Sequence, residues 1–534
     1  MQDKKLVLPT LVSERARQNP DRTFVEEVGG PSLTYAEFDA ANRRWAAAYR
    51  RAGVTEHDRV VTMLPSSVTA SSVWLGLAWL RAIEVPCNTA YRGRMLGYLI
   101  RDSEAETMVI ADRYLDRLPE VAGDLAGVRT IVVVGTGHDD VDVPCDVVHE
   151  DEFLDGLSPA DDLPEPLPSD ICAMLYTSGT TGSSKGVLMP WAQLYSQAVG
   201  FLPMKDFDED DAWYMPYPMN HVGGKTPVYT MVVLNGRVVI RDGFDTGAFW
   251  KDIDHYGCTS TAFLGGTASF VWQQEPRADD ADHTLVNVWM VPLVPYLDEF
   301  KARFGVRVTT SYGSVENSVP IVADGWNTSS ATWKSCGKLR EGYPGYEVRV
   351  VDELDYEVDP GALGELIIRS SEPWTMNAGY FGMPDKTAQA WRNGWFHTGD
   401  GFTYDADGNF YFADRITDCI RRRGENISSF EVETEVNMHP SVVESAAIGV
   451  PSEHGEEEIK VLVVAKLDAE LSAEELIRFL IPRMPRFMVP RYVEFVTEFP
   501  KTEATLRVKK YELRVDAVNA ATWDREAAGI KIPK

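Results

Sequence analysis

The segment YTSGTTGSSKG, residues 176–186, sets three glycines and a single lysine among serines and threonines. Glycine lets backbone N–H groups approach an anion closely, and hydroxyls and an ammonium add donors, so this composition fits a loop that grips phosphate. It is not the familiar P-loop, which needs adjacent Gly and Lys followed by Ser or Thr; here Lys185 stands between Ser184 and Gly186. A flexible surface turn draws on the same residue types. The flanks separate the two readings. An apolar run, DICAMLY, leads in and GVLMP leads out, so the segment is expected to join one strand to another.

At 534 residues the chain is too long for one core, and ~100–200 residues per domain implies about three or four units. With 44% hydrophobic and 25% charged residues the composition is that of a globular protein. A net charge of −29 argues against nucleic acid or an anionic membrane as partner, since both draw on basic patches for most of their affinity. Cys87, Cys145, Cys172, Cys258, Cys336 and Cys419 contain no CxxC pair, so neither a zinc site nor a redox motif is indicated, and free thiols of a reducing cytosol are expected. The first twenty residues lack the apolar stretch of a signal peptide, and no segment approaches the ~20 apolar residues that span a bilayer. The expected location is the cytoplasm.

Working outward, LTYAEFDAANRRWAAAYRRAG reads as a helix: Thr34 and Glu37 form a capping box, Phe38, Ala41, Trp45, Ala48 and Tyr49 recur at helical spacing, and Gly53 ends it. Short β-rich runs, TMVIAD and TIVVV, alternate with helical patterns, which argues an α/β fold with substantial parallel sheet. The stretch from about 150 to 168, EDEFLDGLSPADDLPEPLP, is acidic and proline-rich and is expected to be a surface linker with no packed core. After about residue 416 a charged connection, ADRITDCIRRRGENIS, leads into a compact run of strands and helices that includes LSAEELIRFL, with Ser472 and Glu475 as a second capping box. The expected organisation is a large domain over 1–416 and a small α+β domain over 417–534 behind a hinge.

Four more stretches carry candidate chemistry: YPMNHVGG with His221, SYGSVENS with Glu316, GWFHTGD with Asp400, and DRITDCIRRRGENI with Arg415 and the basic run Arg421, Arg422 and Arg423. Singly each has a bland reading: a structural histidine, a turn aspartate, a solvated basic face. Together and in order with the 176–186 loop, they resemble the adenylate-forming superfamily of acyl-CoA ligases, free-standing adenylation enzymes and firefly luciferase, and the likeness covers nearly the whole chain. VWMVPLVPYLDEFKARFGVRVTTSYGSVEN and RRGENISSFEVE look most like crotonobetaine/carnitine-CoA ligases and related acyl-CoA synthetases.

That resemblance implies an ATP-dependent ligase for a small carboxylic acid. The acid attacks the α-phosphate of ATP, pyrophosphate leaves, and the CoA thiol then displaces AMP from the acyl-adenylate. Thr177, Ser178, Gly179, Thr180, Thr181, Gly182 and Lys185 are implied to cradle the phosphates, and Glu316 to hold Mg²⁺. Tyr312, with Gly313 and Ser314 beside it, is implied to stack on adenine, although a core tyrosine is the plainer alternative. Asp400 and Arg415 are implied to bind the ribose. Thr417 and Asp418 fall at the hinge about which a small mobile domain rotates between half-reactions. His221 matches the residue between acyl pocket and pantetheine tunnel, and Arg421, Arg422, Arg423 and Gly424 are implied to meet the CoA phosphates. A dimer is the usual prior for such an enzyme.

The chain departs from the family pattern in several places. Ser184 replaces a commoner proline, Met290 and Val291 replace a Gly/Ala-rich turn ahead of Pro292 and Leu293, and Thr417 replaces a hinge Asp or Lys. Val315 stands where relatives place a threonine that donates to the α-phosphate, a loss that can cost ~3 kcal/mol unless Ser314 or a loop residue compensates. In FPKTEATLRVKKYELR, Arg507 occupies the place of the family's bridging lysine, and a planar guanidinium is no conservative substitute for an ammonium. Arg507 does that job, or Lys509 or Lys510 reaches in, or adenylation is slow. Two alternatives to the CoA ligase follow: an adenylation enzyme that loads a carrier protein, and a catalytically impaired acyl-adenylate-binding homologue.

Overall fold

The apolar run ahead of the glycine-rich segment forms the strand Ile171–Thr177, and the run behind it forms Lys185–Pro190. They belong to a computed structural model that describes residues 7–137, 141–177, 184–264, 266–415, 420–422, 425–452, 457–467, 469–501 and 508–532. The two strands pair antiparallel, with Tyr176 opposite Gly186 and Thr177 opposite Lys185. Gly186 is required there, because a Cβ would come within 2.9 Å of the Met174 side chain.

Contacts divide the chain into two compact units. The larger takes the residues up to Val348 together with Ile368–Phe396; the smaller takes Arg349–Ile367 and the residues from His397 onward. This division lies earlier in the chain than the boundary expected at 416/417. The antiparallel hairpin of Phe396–Tyr404 and Asn409–Arg415 falls in the smaller unit from His397 onward.

In the larger unit, one seven-stranded sheet runs Asp146–His149, Thr130–Val134, Thr107–Ala111, Arg59–Met63, Ile83–Pro86, Ile171–Thr177, Lys185–Pro190. Its strands are parallel except for the last hairpin. A second seven-stranded sheet, from Arg307–Thr309 to the edge strand Ser32–Thr34, repeats the plan of parallel strands with one antiparallel hairpin at its edge. Such sheets are covered by helices on their faces, and the apolar content of these strands reflects it: Met108, Val109, Ile110, Ile131, Val132 and Val133 are all fully buried.

The helix expected from the capping box is Tyr35–Arg51, with both hydrogen bonds of the box formed between Thr34 and Glu37. Gly53 follows at φ +86°, a conformation glycine adopts without strain. The 150–168 stretch corrects its reading as a bare surface linker. It opens with the helix Glu150–Leu154, and Phe153 packs against Trp45 and Tyr49 with ring centres 5.8 and 5.7 Å apart. The acidic residues around that pair mask the burial of two apolar side chains.

The smaller unit has the four-stranded sheet Val442–Pro451, Glu457–Ala465, Tyr492–Phe495, Trp523–Asp524. The helices Ser429–Asn437 and Ala473–Leu480 belong to the same unit, the second with the expected capping box between Ser472 and Glu475. The fold is thus α/β with a large N-terminal part and a smaller C-terminal α+β part, as expected. Among the described residues no helix is long and apolar enough to cross a membrane, and Cys87, Cys145, Cys172, Cys258 and Cys336 are free thiols.

Candidate active site

In the larger unit the site is built on hydrogen-bonded main chain. The strand Lys185–Pro190 pairs on one side with Ile171–Thr177 and on the other with residues 378–381: Leu188 N–H donates to Gly379 O (3.0 Å), Ala378 N–H to Leu188 O (2.9 Å) and Phe381 N–H to Gly186 O (2.8 Å). This brings the Tyr380 ring to 4.7 Å from the Lys185 ammonium, a cation–π contact that holds the charge at the mouth of the hairpin. Asn377, next in the chain and buried, donates from its main-chain N–H (3.1 Å) and its Nδ2 (2.8 Å) to Glu316 O. Its Oδ1 accepts from Gly379 N–H at 2.9 Å. A continuous path therefore ties Lys185 to Glu316.

Glu316 sits at the tip of a tight hairpin between the strands Ser311–Ser314 and Ser318–Val322. Ser314 Oγ accepts from Glu316 N–H (3.1 Å) and Asn317 Oδ1 accepts from Ser314 N–H (2.9 Å). Gly313 is obligatory, since a Cβ there would lie 2.0 Å from Ser318 O. Behind the hairpin, the fully buried Gln193 donates to Val315 O at 2.7 Å. The Val315 side chain belongs to the main hydrophobic core of the unit, which gives this departure from the family threonine a structural role. Tyr312 is also buried, beside an exposed Gly313.

His221 caps the helix Val222–Leu234: its Nδ1 accepts from Gly223 N–H at 3.0 Å. That bond leaves the ring proton on Nε2, and burial pushes the imidazole down to about 4. Gly223 lies against His221 and Leu264, where a Cβ would stand 3.2 and 3.5 Å from their nearest atoms. Residues 260–264 and 266–272, which follow in space, carry no charged side chain.

In the smaller unit, Asp400 and Arg415 are direct cross-strand partners. Asp400 is buried, and its turn is fixed by Glu365, which accepts from Gly399 N–H through Oε1 (2.9 Å) and pairs with His397 Nδ1 through Oε2 (2.9 Å). Arg421 and Arg422 lie on the strand Ile420–Arg422. Arg422 is buried, and its guanidinium pairs with Glu458 (2.6 Å) and donates to Phe487 O (2.7 Å) inside the unit. Lys510 is likewise engaged by Glu433 (2.7 Å) and Ser429, and Lys509 lies 3.4 Å from Glu512. Ser178, Gly179, Thr180, Thr181, Gly182, Thr417, Asp418, Arg423, Gly424 and Arg507 fall outside the described residues.

Sequence reasoning missed Gln193, Asn377, Tyr380 and Glu365. The signal for Asn377 and Tyr380 was present in MNAGY, a polar residue and a glycine inside an otherwise apolar run.

A lysine beside the glycine-rich segment is thus tied to a carboxylate on a second rigid hairpin, the charge pairing that a nucleotide-phosphate site uses. The chain belongs to the AMP-binding enzyme family, the adenylate-forming enzymes whose ordered motifs it shares: that family matches residues 12–381, and the AMP-binding enzyme C-terminal domain matches residues 431–505. It is similar to the crotonobetaine/carnitine–CoA ligase of Salmonella arizonae, at 28% identity over 90% of this chain and 92% of the relative. It is 29% identical to the feruloyl-CoA synthase of an Amycolatopsis species over 94% of this chain and 97% of that one. Among solved structures it resembles ATP-bound MatB from Rhodopseudomonas palustris, with a TM-score of 0.82 and 25% identity over 95% of this chain and 98% of that one.

Proposed function

We propose that the chain is an ATP-dependent carboxylic acid–CoA ligase that works through an acyl-adenylate and acts in the cytoplasm. The observation that carries this reading is the hydrogen-bonded path from the Lys185 strand through residues 378–381 and Asn377 to Glu316. It fixes a cation and a carboxylate to one framework, as a reaction on a metal-bound polyphosphate requires.

Glu316 is half-buried on a rigid hairpin, and a single carboxylate of that kind suits Mg²⁺, which takes one or two carboxylates and completes its shell with phosphate oxygens and water. Glu316 would hold such an ion together with phosphate oxygens and water. When bound, the metal neutralises charge that builds on the phosphates. Lys185 and Thr177 hold the phosphates, Asp400 and Arg415 take the ribose, and the neutral His221 borders the acyl group. Two of its relatives, a crotonobetaine/carnitine–CoA ligase and a feruloyl-CoA synthase, bracket the acid. The uncharged wall over 260–264 and 266–272 favours an apolar or aromatic acyl group. Both Lys509 and Lys510 have carboxylate partners in the smaller unit, which supports Arg507 as the cation that bridges acid and α-phosphate.

The test is product analysis with free CoA as acceptor, across aromatic, aliphatic, steroidal and carnitine-like acids. An acyl-CoA thioester together with AMP is expected from at least one aromatic or aliphatic acid. Stoichiometric AMP and pyrophosphate without a thioester would replace CoA by a carrier-protein acceptor.

A further inference from the structure

We propose that Tyr98 and Asp102 are positioning residues for the phosphate-gripping hairpin; the proposal rests on the reading of segment 176–186 given above. They lie one turn apart on the helix Gly93–Ser103 and therefore on one face. Tyr98 O–H donates to Ser184 O at 2.9 Å, and Tyr176 O–H donates to Asp102 Oδ2 at 2.6 Å. The two tyrosine rings meet edge to face, with centres 6.4 Å apart and planes at 88°. A single helical turn thus holds both feet of the segment. Tyr176 is the first foot, next to Thr177; Ser184 is the second, next to Lys185, and Thr177 and Lys185 face each other across the strands.

The helix is itself fixed, because Leu96, Leu99 and Ile100 on it are buried in the core. Desolvation and the Asp102 carboxylate both push the Tyr176 phenol far up, so it remains a proton donor to Asp102 at any working pH. Holding Thr177 and Lys185 at a set separation preorganises two of the residues that take the phosphates, so less freedom is lost on binding. The clamp should therefore act on nucleotide binding and leave acid and CoA binding alone.

The experiment uses the full chain and reads the Kd of Mg-ATP by calorimetry, which needs no turnover, together with Tm and, where turnover is measurable, the KM of each substrate. Tyr98→Phe is expected to raise the Kd roughly 3- to 10-fold, the span for losing a neutral hydrogen bond, and Tyr176→Phe and Asp102→Ala, which lose one and the same charge-assisted bond, roughly 10- to 100-fold. Tm should stay within about 2 °C of the parent, and the KM values of acid and CoA should hold. Asp102→Asn keeps an acceptor for the Tyr176 hydroxyl and is expected to restore most of the affinity. If Asp102→Ala does not fold, the two tyrosine variants decide. Parent-like Mg-ATP affinity in both tyrosine variants would overturn the clamp alone, and so would equal losses for all three substrates with a lowered Tm. A parent chain that binds no Mg-ATP would overturn the reading of the loop and the clamp with it.

Discussion

His221 shows how a single side chain's role is set by one hydrogen bond. Its Nδ1 accepts from Gly223 N–H, so protonation at that nitrogen would set two donors against each other and remove the helix cap. Burial already pushes the group down to about 4 from an ordinary 6.5. Between those values the unfolded chain binds the proton and the folded chain does not, so stability rises with pH over that window. The contribution is complete above about pH 6.5 and is lost as the pH falls toward 4. His221→Asn, which retains a capping acceptor without a titrating ring, should show a shallower fall of Tm between pH 7 and pH 4.5 than the parent; identical slopes would contradict this account. Other residues were less legible. The basic run Arg421–Arg423 reads as a solvated face, yet Ile420 and Arg422 are both buried, and they share a strand face by the period of two. Applied to that short strand, the alternation would have placed Arg422 inside.

Helix Val222–Leu234 carries His221 at its N-terminus and is anchored from within. Lys225 is fully buried, pairs with the buried Glu84 of strand Ile83–Pro86, and lies 3.9 Å from the centre of the Trp74 ring. Thr62 donates to the other Glu84 oxygen at 2.9 Å. Desolvation raises the Glu84 carboxyl, and Lys225 and Thr62 oppose that rise. Lys225→Met strands the carboxylate and should cost about 3–5 kcal/mol in urea unfolding followed by tryptophan fluorescence. Lys225→Met combined with Glu84→Met should recover to within about 2 kcal/mol of the parent, the remainder reflecting the lost Thr62 partner. A double variant as unstable as the single would show that the pair is not the cause. Elements with local signals were legible in the sequence: two capping boxes and the strands either side of the glycine-rich segment appear as expected. The path from Lys185 to Glu316 was not, because MNAGY marks Asn377 and Tyr380 as unusual but does not record that they meet the segments at 185 and 316 in space.

Across the whole molecule, the order of motifs carried the family and the broad two-part organisation, since those motifs report chemistry that several distant segments must share. The composition argued against nucleic-acid and anionic-membrane partners on charge alone, and it misread 150–168, where Phe153 and Leu154 hide in an acidic stretch. The division of the chain at 396/397 falls within a strand, and the charged run at 415–428 does not mark it. The account as a whole depends on one claim: the framework that joins Lys185 to Glu316 activates a carboxylate on ATP. Acid-dependent exchange of labelled pyrophosphate into ATP, measured with Mg²⁺ and no CoA, tests it most directly, because exchange requires reversible formation of the acyl-adenylate and nothing after it. The account predicts exchange with an apolar or aromatic acid and a loss of about 10²-fold or more in Glu316→Gln. Tight binding of Mg-ATP with no exchange for any acid in the panel would contradict it and leave a nucleotide-binding protein without ligase chemistry.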